Sequence, residues 1–251
     1  MVSMLQRVNP DGAVHVTDKC LYVRGRKKGR ATTVDGYCNI PYHCYPIMKL
    51  IVITPEVDVK DELQVVNSLL DNGLQRLHVR KPEFTTNLYK EYICQIAPEY
   101  HSRLVIHGGF ELCRELELGG IHLNNAARND AAILEQVHDI PAGAISTSFH
   151  SWKEIEDNKF PYSYVFISPV FDSISKSGYK AGIDLNGANQ LKERLARQNT
   201  YCPKLVGLGG VGALEEVIAL RDNGFDGAAL LGGVWMAKDP VGSFLEMLKA
   251  L

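Results

Sequence analysis

The segment that decides the fold reads Lys204-Leu205-Val206-Gly207-Leu208-Gly209-Gly210-Val211-Gly212, and one unit later the chain reads Gly227-Ala228-Ala229-Leu230-Leu231-Gly232-Gly233. Each segment begins with a short apolar run typical of a buried strand and ends in glycines, and a helix is predicted directly after the first. Glycines let backbone amides approach an anion closely, and the start of a helix adds a favourable dipole. Glycine turns are common singly, but two after consecutive strands predict a phosphate cradle made of Gly209, Gly210, Leu231 and Gly232.

The same strand-then-helix order extends back along the chain to Met48. Apolar runs predict eight strands, at Lys49–Thr54, Leu74–Arg80, Arg103–His107, Gly120–Leu123, Ala142–Ser146, Tyr164–Ser168, Lys204–Leu208 and Gly227–Leu231. Amphipathic stretches predict helices, at Lys60–Leu70, Leu88–Ile96, Phe110–Leu116, Ala131–His138, Trp152–Asp157, Gly187–Arg197, Ala213–Asn223 and Pro240–Ala250. Strict alternation of this kind implies parallel strands joined by crossover helices.

Eight such units form either an open doubly wound sheet or a closed barrel. Two features favour closure. No GxGxxG motif follows the first strand, and the phosphate-type glycines follow the last two strands, where barrels commonly bind phosphate. We therefore predict an α/β fold, a single (β/α)8 TIM barrel over residues 48–251, with its site at the C-terminal ends of the strands.

Residues 1–47 differ from the rest of the chain. They hold seven basic residues against three acidic ones, a net charge of +4, and show no sustained helical or strand periodicity. We interpret them as an irregular or disordered extension, which is also consistent with an upstream mis-start before Met48. A basic tail for an acidic partner is the alternative reading.

The composition excludes several classes of partner. The 251 residues carry a formal net charge of −2, which argues against nucleic acid or a membrane surface as the main partner. No apolar run reaches the roughly 18 residues that span a bilayer, and the N-terminus lacks the apolar region of a secretory signal. The predicted location is the cytoplasm, and the sequence leaves homo-oligomerisation open.

Polar and basic residues stand at the predicted C-terminal ends of several strands. His78, His107 and His122 lie on or at the end of the second, third and fourth strands. Because the strand ends of a barrel meet at one mouth, we expect these histidines to share a pocket and to supply acid/base chemistry. Further donors suited to phosphate oxygens stand at the end of the second strand and after the fifth and sixth: Arg80, His150, Ser173, Ser175 and Lys176.

Carboxylates are missing where a magnesium site would be expected. Mg²⁺ takes hard oxygen ligands, usually one or two carboxylates together with substrate phosphates. The third and fourth strands end in His107-Gly108 and Asn124-Asn125-Ala126-Ala127, and Glu83 and Asp172 remain as isolated acidic residues. We predict no metal site.

These segments, in this order and spacing, resemble the thiamine phosphate synthase/TenI family of TIM barrels over nearly all of residues 48–251. Leu77-His78-Val79-Arg80 is similar to the family's strand-two motif, and Ser148-Phe149-His150 to its Ser-x-His. Ser168-Pro169-Val170-Phe171, followed by Ser173, Ser175 and Lys176, resembles its Gly-Pro-Ile-Phe segment and the Thr-x-Thr-Lys beyond it. The two glycine turns match its thiazole-phosphate loops.

The resemblance implies a substrate and a set of roles. Synthases of this family join a pyrimidine pyrophosphate to a thiazole phosphate and release pyrophosphate with the help of Mg²⁺. Carried over by position, the pyrophosphate ligands are Arg80, Ser148, Ser173, Ser175 and Lys176. The thiazole phosphate is held by the backbone amides of Gly210, Leu231 and Gly232.

Departures from the synthase pattern favour the family's other branch. His78 stands where synthases carry glutamine, Pro82 where they carry lysine, and both expected magnesium carboxylates are replaced. The TenI branch tautomerises the thiazole, tolerates these losses and carries histidine at the position of His78, but Pro169 stands where that branch has its proposed acid/base histidine. We favour a metal-independent TenI-like protein without a cofactor. An active synthase that uses Mg²⁺, a non-catalytic binder or regulator, and an unrelated phosphosugar-type isomerase or lyase barrel remain as alternatives.

Overall fold

A computed structural model describes residues 48–172 and 181–251, and it has the predicted architecture. Eight parallel strands pair in chain order and β8 pairs with β1, so the sheet closes into a barrel. Val52 of β1, for example, is in register with Leu77 of β2 on one side and with Leu230 of β8 on the other. The strands are β1 (Lys49–Ile53), β2 (Leu77–Val79), β3 (Leu104–Ile106), β4 (Gly120–Leu123), β5 (Ile145–Phe149), β6 (Tyr164–Ile167), β7 (Lys204–Leu208) and β8 (Gly227–Leu230).

Helices of uneven length surround this barrel. They are α1 (Glu62–Asp71), α2 (Thr86–Ile93), α3 (Leu112–Glu115), α4 (Ala131–Gln136), α5 (Trp152–Asp157), α6 (Gly187–Arg197), α7 (Leu214–Asp222), α8 (Gly232–Trp235) and α9 (Pro240–Leu248). α8 is a single turn that the sequence pattern did not predict, and it begins at the second glycine pair. The other helices lie where the periodicity placed them, with ends that differ by a few residues.

The hydrophobic core has two parts because successive strand residues point to opposite faces. Leu50 and Val52 point outwards and pack in the large layer between strands and helices, whereas Ile51 and Ile53 point into the barrel. The apolar cluster inside the barrel is small: Ile51, Ile53, Phe166, Val206 and Ala229, with Tyr164, Leu208 and Leu231 packed against it. Much of the remaining interior is therefore polar, which positions the site described below.

The fifth strand lies three residues later than predicted. Ala142–Ala144 form a 3₁₀ turn that begins after Pro141, and β5 starts at Ile145. Small residues and a glycine after a proline suit a tight turn better than a strand, whereas Ile145 is the first residue with high strand propensity. The correction matters because it places Ser146 and Ser148 on the same strand, two residues apart and therefore on one face.

Two predicted features lie outside the described residues: the extension over 1–47 and the phosphate-binding loop that contains Ser173, Ser175 and Lys176. In the part of the chain that the structure describes, no helix combines the length and the apolar character needed to cross a bilayer.

Candidate active site

Three histidine side chains meet inside the barrel. His78 on β2 and His122 on β4 are buried, and His107, directly after β3, is half-buried. His78 Nδ1 and His107 Nε2 share a hydrogen bond of 2.9 Å. The rings of His107 and His122 stack with 4.4 Å between centroids and 19° between planes. The structure thus brings together all three residues that the sequence predicted as acid/base candidates.

Hydroxyl groups complete this cluster. The Tyr164 hydroxyl on β6 lies 2.6 Å from His78 Nε2. Ser146 and Ser148 of β5 lie on either side of His122, each with Oγ 2.9 Å from a ring nitrogen, Nδ1 and Nε2 respectively. No buried side-chain nitrogen or oxygen within 48–172 and 181–251 lacks a hydrogen-bond partner, so the polar interior is fully satisfied.

Burial keeps these rings neutral. Desolvation, with smaller contributions from Arg80 and Arg128, lowers the pKa of His122 to about 3. Desolvation also lowers the pKa of His78 and that of His107 well below the ordinary value, and the neighbouring ring of His122 adds to both shifts. Burial raises the pKa of Tyr164 to about 12. At neutral pH the cluster therefore consists of uncharged imidazoles and hydroxyls, which can both donate and accept protons.

His107 is the least buried of the three histidines. His107 Nε2 is bonded to His78, and its Nδ1 has no protein partner among the described residues. His107 follows β3 and keeps part of its side chain exposed, whereas His78 and His122 are buried. His107 is thus the histidine that a ligand at the mouth can touch, whereas His78 and His122 lie behind it.

The two glycine turns lie side by side at the C-terminal ends of β7 and β8. A Cβ placed on Gly233 would stand 2.5 Å from the Cα of Gly212, so the turns are in van der Waals contact. Gly209 and Gly210 have φ values of +97° and +73°, which glycine adopts readily and other residues rarely do. The amides of Gly210 and Gly232 are not donated to another backbone segment within the described ranges.

The glycine turns and the histidines belong to the same end of the barrel interior. Leu208 and Leu231, which precede the turns, pack against the apolar cluster inside the barrel, of which Phe166 is a member. The ring of Phe166 lies 4.8 Å from that of His78 and 4.9 Å from that of His122. The histidine rings and the residues that start the two turns therefore pack on the same apolar cluster.

The other predicted ligands have protein partners of their own. Arg80 forms an ion pair with Glu56, an acidic residue in the loop after β1 that the sequence patterns did not single out. His150 is exposed, and its Nδ1 lies 3.1 Å from the carbonyl oxygen of Ser168. An anion at Arg80 would have to compete with the Glu56 carboxylate.

Lys81, which the sequence showed only as a neighbour of Arg80, lies away from the mouth. It is buried and pairs with the buried Glu62 at 2.8 Å, and the Glu62 carboxylate also accepts a 2.6 Å bond from the Tyr92 hydroxyl. The pair stands between α1, α2 and the end of β2, so it supports the fold outside the barrel interior.

Sequence reasoning missed Ser146 and Tyr164. Both could have been found from strand periodicity, since any residue two positions from an inward-facing one also faces inwards. With Ser148 inward, Ser146 follows, and Tyr164 is its register partner on β6. The misplaced start of the fifth strand hid this relation.

The donor set does not fit magnesium. The strand ends that face the mouth after β3 and β4 carry imidazole, glycine and amide groups, and Glu56 is already paired with Arg80. Mg²⁺ requires hard oxygen ligands in near-octahedral geometry.

The ligand atoms of the three histidines all lie within 4.8 Å of one another, and imidazole nitrogens are a ligand type that suits zinc and similar ions. However, both nitrogens of His78 and of His122 are already hydrogen-bonded.

Comparison with known proteins places this site in a family. The sequence model described as "Thiamine monophosphate synthase" (TMP-TENI) matches residues 50–234, nearly three quarters of the chain. The chain belongs to the thiamine monophosphate synthase/TenI family. Membership confirms the resemblance predicted from the motifs and places the chain among the barrel enzymes of thiamine biosynthesis.

Individual relatives of this family member are distant. It is 24% identical over 200 residues to a thiamine-phosphate synthase of Bacillus cereus (strain ATCC 10987 / NRS 248), with 76% of this chain and 84% of the relative covered. It is 22% identical over 196 residues to the Bacillus thuringiensis (strain Al Hakam) enzyme of the same name, covering 76% and 86%.

Two solved structures share the architecture. A thiamine phosphate pyrophosphorylase from Bacteroides thetaiotaomicron superposes with a TM-score of 0.61 at 28% identity, covering 81% of this chain and 95% of its own. The Pyrococcus furiosus protein of that name gives 0.64 at 21% identity, covering 82% and 96%, a likeness in fold alone.

Proposed function

We propose that this member of the thiamine monophosphate synthase/TenI family binds thiazole phosphate and catalyses a metal-independent, TenI-like proton transfer on it. The observation that carries the proposal is the composition of the mouth. Neutral histidines occupy the positions around β2, β3 and β4, whereas the carboxylates that would hold Mg²⁺ in a synthase are replaced at the ends of β3 and β4. Proton shuttling needs groups that donate and accept at neutral pH, and imidazole is the side chain best suited to it.

The phosphate of the ligand is assigned to the two glycine turns. In the family pattern, the backbone amides of Gly210, Leu231 and Gly232 bind the phosphate. Because the two turns are in contact, one phosphate can accept hydrogen bonds from both turns. Each charge-assisted hydrogen bond of this kind contributes about 1.5–3 kcal/mol. Binding through the backbone requires no metal ion to neutralise the phosphate.

His107 is assigned the contact with the reacting part of the thiazole because it stands at the end of β3 and is the one half-buried histidine of the cluster. The turns would hold the phosphate while the thiazole ring lies beside His107. Fixing the position and orientation of a substrate next to a catalytic group accounts for a large part of the rate enhancement of enzymes. His78 and His122 act from behind it. His150 and Arg80 lie at the rim and are assigned to ligand orientation.

An active thiamine phosphate synthase is the second candidate. The observation in its favour is that relatives matched in sequence, such as those of Bacillus cereus, carry that name. In this reading Arg80, Ser148, Ser173, Ser175 and Lys176 bind the pyrophosphate. The departing pyrophosphate would lose the charge stabilisation that a metal normally supplies, worth several kcal/mol. A non-catalytic binder of the same phosphate is the third reading.

Two assays on the purified full-length chain separate these functions. The first supplies the pyrimidine pyrophosphate, thiazole phosphate and Mg²⁺ and measures thiamine phosphate. We expect none above the level of a sample without protein, and sustained turnover would refute the TenI-like assignment. The second follows deuterium uptake by the thiazole phosphate tautomer in D₂O. We expect exchange that depends on His107, and binding without exchange would identify a binder.

A further inference from the structure

A second cavity opens at the end of the barrel opposite the glycine turns. Its volume of about 460 Å³ is in the range of small-molecule sites. The first residues of several strands and the residues directly before them line it, whereas the glycine turns follow the last residues of β7 and β8. We call it the basal cavity, and its charged and aromatic lining residues are Lys49, Arg76, Arg103, Tyr164, Lys204 and Asp226.

The charged side chains of this lining are mostly basic. One carboxylate stands against four cations: Lys49, Arg76, Arg103 and Lys204. That carboxylate, on Asp226, already pairs with Lys192 at 2.8 Å and accepts a 2.8 Å hydrogen bond from the backbone amide of Leu205. The cavity therefore has a surplus of positive charge, which favours an anionic occupant.

The two arginines differ from the other arginines of the described chain in their partners. Within residues 48–172 and 181–251, the arginines that form an ion pair with a carboxylate are Arg80, Arg114, Arg128, Arg194, Arg197 and Arg221. The two that remain in those ranges, Arg76 and Arg103, both line the basal cavity. Guanidinium groups are well matched to carboxylates and phosphates, so this pattern indicates that a ligand supplies the anion.

Arg76 is held at the rim of the cavity by backbone carbonyl groups. Its Nη1 lies 3.4 Å from the carbonyl oxygen of Ser102 and 3.3 Å from that of Gly119. Gly119 leaves space for this side chain, because a Cβ there would stand 2.3 Å from Nη1. Nε and Nη2 of Arg76 have no hydrogen-bond partner among the described residues. One nitrogen thus positions the guanidinium group, and two are left to bind a ligand.

Arg103 and Lys204 add donors to the same cavity. Arg103 Nη1 donates to the carbonyl oxygens of Leu70 and Leu74 at 3.1 and 3.3 Å, and its other two nitrogens have no hydrogen-bond partner within the described ranges. Lys204, the first residue of β7, is exposed, and its ammonium group makes no hydrogen bond or ion pair there either. Two forked guanidinium groups and an ammonium group suit the oxygens of a phosphate group.

Apolar side chains and one tyrosine form the floor of the cavity. Ile51, Val105 and Val206 are buried and line it from the barrel interior. Tyr164, the first residue of β6, is half-buried beside them, and its hydroxyl lies 2.6 Å from Nε2 of His78. A single side chain of the lining therefore separates the cavity from the histidine cluster.

We propose that the basal cavity is a second ligand site, which takes a small phosphate ester with an apolar body and whose occupation alters the histidine cluster behind Tyr164. The phosphate group binds Arg76, Arg103 and Lys204, and the apolar body packs on the floor. The inference goes beyond the function proposed above and does not depend on it, because none of these residues belongs to the glycine turns or to the mouth.

The charge of the ligand gives this coupling a physical cause. After burial and the neighbouring ring of His122, the positive charge of Arg76 is the next contribution that lowers the pKa of His78. A phosphate dianion beside Arg76 would offset that charge, so His78 would become easier to protonate. Because His78 Nδ1 is hydrogen-bonded to His107 Nε2, His107 is the next side chain to be affected.

A first experiment determines where a phosphate ester binds. Phenyl phosphate is titrated into the full-length ¹⁵N-labelled protein, and phenol and inorganic phosphate serve as probes that lack the charge or the ring. We expect phenyl phosphate to shift the backbone amide signals of Ser102, Gly119 and Ala144 at the basal cavity, and both other probes to bind there more weakly. Shifts confined to the amides of Gly210 and Gly232 would place the ligand in the glycine turns and overturn the proposal.

Variants that remove a charge identify the groups that bind. Arg76→Gln should weaken phenyl phosphate binding at the basal cavity at least about tenfold, and Lys204→Gln, at an exposed ammonium group, about threefold. Arg114→Gln is the matched control, since Arg114 pairs with Asp139 and does not line the cavity. Lys204 has no described partner to lose, so its variant remains informative if Arg76→Gln does not fold. Equal affinity in Lys204→Gln, Arg114→Gln and the wild type would refute the site.

A third experiment tests the link to the histidines. The ¹⁵N signals of the histidine rings are followed as phenyl phosphate saturates the basal cavity, with the exposed His138 as the internal control. We expect the signals of His78 to shift and those of His138 to stay. Arg76→Gln without ligand should shift the His78 signals in the same direction, because it removes the same positive charge. Unchanged His78 signals at saturation would refute the coupling. None of these tests uses thiazole phosphate, so their failure is distinct from a failure of the proposed function.

Discussion

Acidification should unfold this protein through its buried histidines, and His122 gives the clearest case. Its pKa is lowered to about 3 by burial and by Arg80 and Arg128, whereas in the unfolded chain it returns to the ordinary value of 6.5. Below pH 6.5 the unfolded chain therefore binds a proton that the folded chain does not. The stabilisation is complete above pH 6.5 and is lost as the pH falls towards 3.

The size of the effect follows from the linkage relation. Each pH unit between the two pKa values costs about 1.4 kcal/mol per histidine. On going from neutral pH to about pH 5, the neutral His122 alone should lower the free energy of unfolding by about 2 kcal/mol. His78 and His107, whose pKa values burial also lowers, act in the same direction.

Urea unfolding at a series of pH values tests this prediction. His122→Asn, which keeps one donor and one acceptor for the flanking serines, should lose about 2 kcal/mol of the acid-induced change relative to the wild type. The exposed His138 provides the matched control, because His138→Asn removes a histidine without touching the barrel interior. Equal pH dependence in His122→Asn and the wild type would show that His122 is not held neutral, and the interior network would then be wrong.

Three further predictions concern the glycine turns, the buried ion pair and the metal. Gly210→Ala should weaken thiazole phosphate binding at least about tenfold in calorimetric titrations, since its Cβ would lie 2.4 Å from the Asp172 carbonyl, while Gly143→Ala, in open space, should bind normally. If Gly210→Ala bound thiazole phosphate as tightly as the wild type, the turn at Gly210 would not be part of the binding site. Lys81→Met leaves the Glu62 carboxylate buried and unpaired and should cost about 3–5 kcal/mol in chemical unfolding, and adding Glu62→Gln should restore part of it. A loss below about 1 kcal/mol would show that the pair is solvated. Thiazole phosphate affinity should be the same with EDTA as with Mg²⁺, and an affinity that falls on chelation would contradict backbone capture.

The barrel could be predicted from sequence because its signal repeats. Eight apolar runs separated by amphipathic stretches admit few topologies, and the late glycine pairs select the closed one. The same reasoning placed His78, His107 and His122 at one end, since parallel strands point the same way. Periodicity alone could not predict the ring stacking or the hydrogen bonds of the histidine nitrogens, because both depend on the side-chain rotamers.

Residues outside recognised motifs were the harder part. Tyr164 and Ser146 look like ordinary strand residues, and only register with neighbouring strands shows that they face the histidines. Glu56 stands in a loop, where no periodicity constrains position, so its ion pair with Arg80 had no sequence signal. These contacts join residues that are distant in the sequence, so the local sequence pattern around each residue could not predict them.

The most direct test of the account is deuterium uptake by the thiazole phosphate tautomer, followed by NMR in D₂O with EDTA present. We predict rapid exchange with the wild-type chain, unaffected by the chelator, and a rate near the uncatalysed background with His107→Ala. A chain that exchanges only when Mg²⁺ is restored, or whose exchange survives the loss of His107, would contradict the claim that neutral histidines perform the chemistry of this barrel.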